Sequence, residues 1–146
     1  SKDLDFMNII TTKSSVPICS DEGVHSKKDI DDIINNRTSN GVSLKTIKLG
    51  GIVDVLNCAI FANKNNISVN LAGKVAETSI SSYAIANIAT SIPQMKWDLS
   101  ITNQYLVEDP VLEPLNIKDG KVHIKETIGL GTEIDMSKVK KYIIQN

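Results

Sequence analysis

The chain has 146 residues, enough for one ordinary domain with a real core. Its 41% hydrophobic and 23% charged content are globular values and exclude a disordered tail. A net charge of -1 gives no reason to expect a nucleic acid or an anionic membrane as partner, and no apolar run reaches membrane-spanning length.

Asp3 to about Lys13 reads as a helix, with Leu4, Met7 and Ile10 on one stripe and aspartates in the first turn. Ser1 is not an initiator and a helix begins at once, so the segment is expected to be a piece of a longer polypeptide. Val16 to Ser20 predicts a short strand, followed by Asp21-Glu22-Gly23. Ser26 is the expected N-cap of a helix to about Asn36, with Asp29 completing a capping box and Ile30, Ile33 and Ile34 as its buried stripe. A second strand runs from Val42 to about Lys45. Gly50-Gly51 then precede a helix from about Ile52 to Asn65, apolar at Val55, Leu56, Ala59 and Ile60. Ile67 to Leu71 is a third strand. A loop with Gly73 and Glu77 leads to a helix near Ser79 to Thr90, stopped by Pro93, and Met95 to Leu99 is the fourth strand. Beyond it the beat stops. Glu108-Asp109-Pro110 and 116–120 read as turns, Lys121 to Lys125 alternates like a strand, and a last short helix covers Ser137 to Ile144. Cys19 and Cys58 sit in apolar runs and in no metal-type spacing, which suggests reduced core thiols of a cytoplasmic protein. His25 and His123 read as surface residues.

The strands begin near residues 16, 42, 67 and 95, the beat of a βα unit. Strict alternation implies a parallel sheet. Parity then separates a doubly wound sheet from a barrel. Val16 and Ile18, Val42 and Leu44, and Ile67 and Val69 share one face, while the other carries Cys19 and Asp21, Ser43 and Lys45, and Ser68 and Asn70. A doubly wound sheet meets helices on both faces and is apolar on both. One small, polar face favours a barrel interior.

A βα barrel carries its active site at the C-terminal ends of its strands. Those ends offer Asp21 and Glu22, then Lys45 and Lys48, then Glu77, then Asp98. Taken singly, Asp21 suits a loop cap, either lysine can extend to solvent, and Glu77 is an ordinary helix N-terminal acid. Gly50-Gly51 is a weak phosphate signal, because the full P-loop and Rossmann patterns are missing. Together, the carboxylates and lysines could hold a hard cation and set a base beside it. Parity turns Lys45, rather than Lys48, inward with Ser43.

Pro17-Ile18-Cys19-Ser20-Asp21-Glu22, Lys45-Thr46-Ile47-Lys48-Leu49-Gly50-Gly51, Gly73 to Glu77-Thr78-Ser79, Asp119-Gly120 and Gly129-Leu130-Gly131 follow in that order. Their order and spacing resemble the C-terminal half of the enolase superfamily, in its mandelate racemase and muconate-lactonizing branch, from about Asp3 to Tyr142. The resemblance implies an α/β fold: the C-terminal half of a TIM-type (β/α) barrel with a C-terminal appendage. Residues 1–100 would be the βα units and 101–146 an extension packing toward an N-terminal capping domain. It also implies magnesium (Mg2+) bound by acids on three successive strands, Asp21 being the third. Lys45 would be the general base and Glu77 a second catalytic group, with Glu22, Lys48 and Asp98 contacting the substrate. The implied chemistry is abstraction of the proton α to a carboxylate, in a racemase, epimerase, cycloisomerase or dehydratase of a small carboxylate or amino acid derivative.

Several positions depart from that pattern. The first two metal acids and a lysine pair belong before Ser1, so this stretch alone is expected to be inactive. Ile128 replaces the usual proline before Gly-Leu-Gly, and Gly73-Lys74-Val75-Ala76-Glu77 is more polar than usual. Trp97-Asp98-Leu99-Ser100 lacks the second aspartate of dipeptide epimerases. The competing reading is a non-catalytic half-barrel interaction or scaffold module. Half a barrel leaves two sheet edges open, so the isolated chain is expected either to self-associate, as a homo-oligomer, or to be loosely packed.

Overall fold

The computed structural model describes residues 3–144. Helix α1 (Leu4–Lys13) leads into β1 (Cys19–Ser20), α2 (Lys27–Asn36), β2 (Gly41–Leu44), a single turn α3 (Thr46–Leu49) and α4 (Ile52–Lys64). Strand β3 (Ser68–Ala72), α5 (Ser79–Thr90) and β4 (Leu99–Ser100) complete the repeat. A 3-10 turn (Asn103–Tyr105), a hairpin of β5 (Ile117–Lys118) and β6 (Lys121–Val122), and α6 (Met136–Lys141) follow.

Local chemistry places the helix ends. Asp3 accepts from the Phe6 amide at the start of α1, and Ser26 Oγ accepts from the Asp29 amide at the start of α2. Asp29 reaches back, as a capping box requires, although to the His25 amide at 3.0 Å. Helix α2 ends in a Schellman motif: Thr38 N donates to Ile33 O and Arg37 N to Ile34 O. Arg37 there takes a left-handed backbone, φ 52°. Helix α1 is docked on this terminus by polar bonds, Asn8 Nδ2 to Asn36 O at 2.8 Å and Thr11 Oγ1 to Thr38 O at 2.7 Å. Its expected stripe remains half open, and none of its residues is fully buried.

The sheet is parallel with strand order β1-β2-β3-β4. An order without reversal is an arc of a barrel; a doubly wound sheet turns back at a switch point. The register pairs Val42 with Val69 and Ser43 with Asn70, which keeps the expected parity. Toward the helices, Val42, Leu44, Val69 and Leu71 form one core with Ile30, Val55, Ala59 and Ile85. Helix α4 packs on β2 and β3, between α2 and α5.

On the opposite face, Ser43 Oγ donates to Asn70 Oδ1 at 3.0 Å. Asn70 Nδ2 in turn reaches Ser100 Oγ at 3.3 Å and the Asp98 carbonyl. Trp97 occupies the space over Gly41, where a Cβ would lie 2.1 Å from its ring. Residues 101–144 continue onto this body. Ile101 and Leu115 are buried in its core, and Val122, Ile124 and Leu130 pack against it.

Several sequence expectations are corrected here. The strand expected from Val16 to Ser20 is only Cys19–Ser20, and Val16 is exposed rather than helix-facing. The strand expected from Met95 to Leu99 begins at Leu99. Edge strands extend only as far as their neighbour pairs with them, and propensity carries no information about that. Cys19 is exposed, so Cys58 alone is a core thiol. The Lys121–Lys125 strand shortens to Lys121–Val122, paired through an Asp119-Gly120 turn with both residues at positive φ. The last helix ends at Lys141.

Candidate functional site

The C-terminal ends of β1 and β2 are adjacent in the sheet, so the residues that follow them meet. Lys45 is the residue after β2 and the N-cap of α3, while Lys48 lies three residues on, one turn later. Both side chains therefore point the same way. Lys45 Nζ donates to Asp21 Oδ2 at 2.8 Å and Lys48 Nζ to Asp21 Oδ1 at 2.8 Å. Lys48 also donates to the Asp21 carbonyl at 2.5 Å.

The reading that Lys48 extends to solvent is corrected: its side chain is 10% exposed, against 16% for Lys45. The cause is α3, a turn not foreseen in the sequence, which swings Lys48 back over β1. Gly50, at φ 100°, closes that turn in a backbone conformation that a side chain would strain. Glu22 stands 3.8 Å from Lys45 and is almost fully exposed.

Burial pushes the Asp21 carboxyl up, but the hydrogen bonds and charges of Lys45 and Lys48 outweigh it and hold the group below the usual carboxylate range. Cys19, on the same inner face and open to solvent at its rim, has its thiol pushed up by partial desolvation and then by Asp21. Two ammonium groups shared between Asp21 and the exposed Glu22 make this rim a charge-balanced ion-pair cluster. A cavity of about 750 Å³ opens beside Asp21, between α1, β1 and α2.

The other expected residues lie elsewhere. Glu77 sits on the loop after β3, which turns sharply at Ala76, φ 58°. Its carboxylate accepts from Ser81 Oγ one helical turn ahead and lies over Gly73, where a Cβ would meet it at 3.3 Å. Asp98 precedes β4 instead of ending it, level with Asn70 in mid-sheet, and its side chain is exposed. The structure thus brings Asp21, Lys45, Lys48 and Glu22 together, with Glu77 and Asp98 on neighbouring units.

One residue was missed altogether. Asp109 is 7% exposed and accepts from Ser79 N at 3.0 and 3.1 Å and from Ser79 Oγ at 2.6 Å. No local signal marked it, because its partner stands 30 residues earlier.

Among the described residues no group of three or more His, Cys, Asp or Glu is placed to hold a metal ion. Both Asp21 oxygens already receive lysines, so these residues alone do not make a magnesium site. No helix among the described residues is long and apolar enough to cross a membrane.

A model of the family described as enolase C-terminal domain-like matches residues 1–138. A chloromuconate cycloisomerase from Cupriavidus pinatubonensis is 29% identical over 140 residues, 95% of this chain and 37% of the relative. An o-succinylbenzoate synthase from Enterococcus faecalis is 28% identical over 127 residues, 86% of this chain and 34% of the relative. The solved muconate lactonizing enzyme from Pseudomonas putida superposes with a TM-score of 0.87 at 26% identity, covering 93% of this chain and 38% of that one. The chain spans a little over a third of the length of the relatives it matches.

Proposed function

The chain belongs to the enolase C-terminal domain-like family, and from that premise we propose that it is the C-terminal barrel portion of an enzyme that removes the proton α to a carboxylate of a small substrate. The observation carrying this reading is the convergence of Lys45 and Lys48 on Asp21 at the ends of adjacent strands. Each residue then has a task. Lys45, on the inner face, moves the substrate proton at Nζ. Lys48 holds Asp21 by both its carboxylate and its carbonyl, and the two ammonium groups are the charged donors that meet the substrate carboxylate. Glu22, exposed beside Lys45, and Asp98, just before β4, contact the substrate's outer portion. Glu77 serves as the second catalytic group.

Magnesium belongs to the proposal as a group of the whole enzyme, with Asp21 as one ligand and further carboxylates from outside the described residues. When bound, it would stabilise the negative charge that develops as the proton leaves. The reaction class follows the relatives, whose names include cycloisomerases, synthases and a racemase. The enzyme is proposed to be cytoplasmic, a reading supported by two free cysteines, and to assemble as a homo-oligomer.

The test is α-proton exchange into D2O, followed by NMR for a panel of small carboxylates that includes N-succinyl amino acids. In the parent polypeptide, Lys45→Ala should slow exchange about 10²–10⁴-fold. Exchange at the parental rate would sink the reading. A second reading, a non-catalytic binding module, is favoured by the lack of a metal-holding cluster among the described residues. A parent that binds these carboxylates by calorimetry, yet exchanges none of their α-protons with magnesium present, would establish it instead.

A further inference from the structure

Helix α5 begins two residues after Glu77, and its N-cap, Thr78, makes no side-chain capping bond. The first turn of a helix leaves four amides without internal partners, and Ser79, at the start of α5, is fully buried, so water is a poor substitute. The capping comes from far along the chain. Asp109 receives the Ser79 amide on both carboxylate oxygens and the Ser79 hydroxyl on one. The Ser79 hydroxyl in turn accepts from Leu115 N at 2.8 Å and from Asn103 Nδ2 at 3.1 Å. Lys138 of α6 pins the Asp109–Val111 segment, donating to the carbonyls of Asp109 at 3.0 Å and Val111 at 2.9 Å. The other end of the loop is tied as well. Thr102 Oγ1 accepts from Glu77 N at 3.3 Å and donates to Lys74 O at 2.6 Å.

We propose that the segment following β4 positions the Glu77 loop: Asp109 clamps it at the start of α5, and Thr102 clamps it at Glu77 itself. Both are positioning residues, since their bonds run to the loop backbone and to Ser79, not to the Glu77 carboxylate. The catalytic sense of this positioning rests on the reading that Glu77 belongs to the site. A carboxylate on the four-residue excursion between Gly73 and Thr78 is aimed only as well as the backbone under it is held. A buried anion is also a stronger cap than the neutral Thr78 could provide, because it meets the positive end of the α5 dipole.

Hydrogen exchange followed residue by residue on the chain tests the clamp. In Asp109→Ala, exchange at the amides of 77–80 should accelerate about tenfold, while α2 and α4 keep their protection. Asp109→Asn retains an acceptor and should restore most of it. Unchanged exchange at 77–80, or equal loss through every helix, would overturn the proposal. Should Asp109→Ala fail to fold, Thr102→Val offers the same local comparison at the Glu77 amide, with faster exchange expected there and unchanged exchange counting against the clamp. In the parent enzyme, kcat should fall about tenfold in Asp109→Ala with KM little changed, and recover in Asp109→Asn. A Glu77→Gln parent with full activity would defeat the functional reading, while the exchange results would still decide the clamp.

Discussion

On its helix side the sheet presents Val42, Leu44, Val69 and Leu71, none more than 1% exposed. On its inner side the same strands present Ser43, Asn70 and Ser100, joined by hydrogen bonds from strand to strand. The two sets alternate along one backbone, so they share geometry and differ only in chemistry. The apolar set is buried against helices and supplies the free energy that holds the arc together. The polar set contributes little net stability, because each bond replaces one to water. What it supplies is a hydrophilic lining that leads up to Asp21, Lys45 and Lys48 at the strand ends. Stability and chemistry are thus separated by a one-residue step.

Four measurements probe that separation. Leu71→Ala should cost most, about 2–5 kcal/mol in urea unfolding, because the vacated space lies between sheet and helices. A cost under ~1 kcal/mol would mean that the helix side is not a packed core. Gly41→Ala comes next, at about 1–3 kcal/mol, since its Cβ would meet both the Trp97 ring and, at 2.8 Å, the Ser68 carbonyl. At Gly41 packing, not polarity, sets the residue on the inner face, and a neutral thermal melt would remove that exception. Ser43→Ala should cost only about 1 kcal/mol, the worth of a hydrogen bond that leaves Asn70 Oδ1 without its donor. A loss as large as that of Leu71→Ala would break the comparison outright.

The smallest effect concerns acid. Lys45 and Lys48 hold folded Asp21 below its ordinary value near 3.8, so the pair stabilises fully above that pH. The contribution should fade as pH falls below about 4 and vanish once the folded carboxyl is protonated. Acid titration of Asp21→Asn should lack this component and run flatter than the parent curve below pH 4. Identical curves would show that the ion pair adds nothing.

Much of this was legible in the residues. The helix from Ser26 was found from its cap and apolar spacing, and α5, read between the Gly73–Glu77 loop and Pro93, falls where expected, at Ser79–Thr90. Parity alone distinguished the two faces and turned Lys45 inward. Strand lengths were not legible. Pro17 and Val16 carry strand-like neighbours, yet β1 pairs only at Cys19 and Ser20. Nor was Lys48, whose inward turn depends on the single-turn α3, too short for any periodic signal.

What the sequence by itself determined is the alternation of βα units, the polar inner face and the order of charged groups at the strand ends. These depend on neighbours two to four residues apart, within reach of backbone sterics and side-chain periodicity. The tertiary structure alone decided that Asp21 is shared between two lysines and that Asp109 caps a helix begun 30 residues before it. Such contacts join positions far apart along the chain, and burial, which no local pattern encodes, selects which of many available carboxylates becomes the partner.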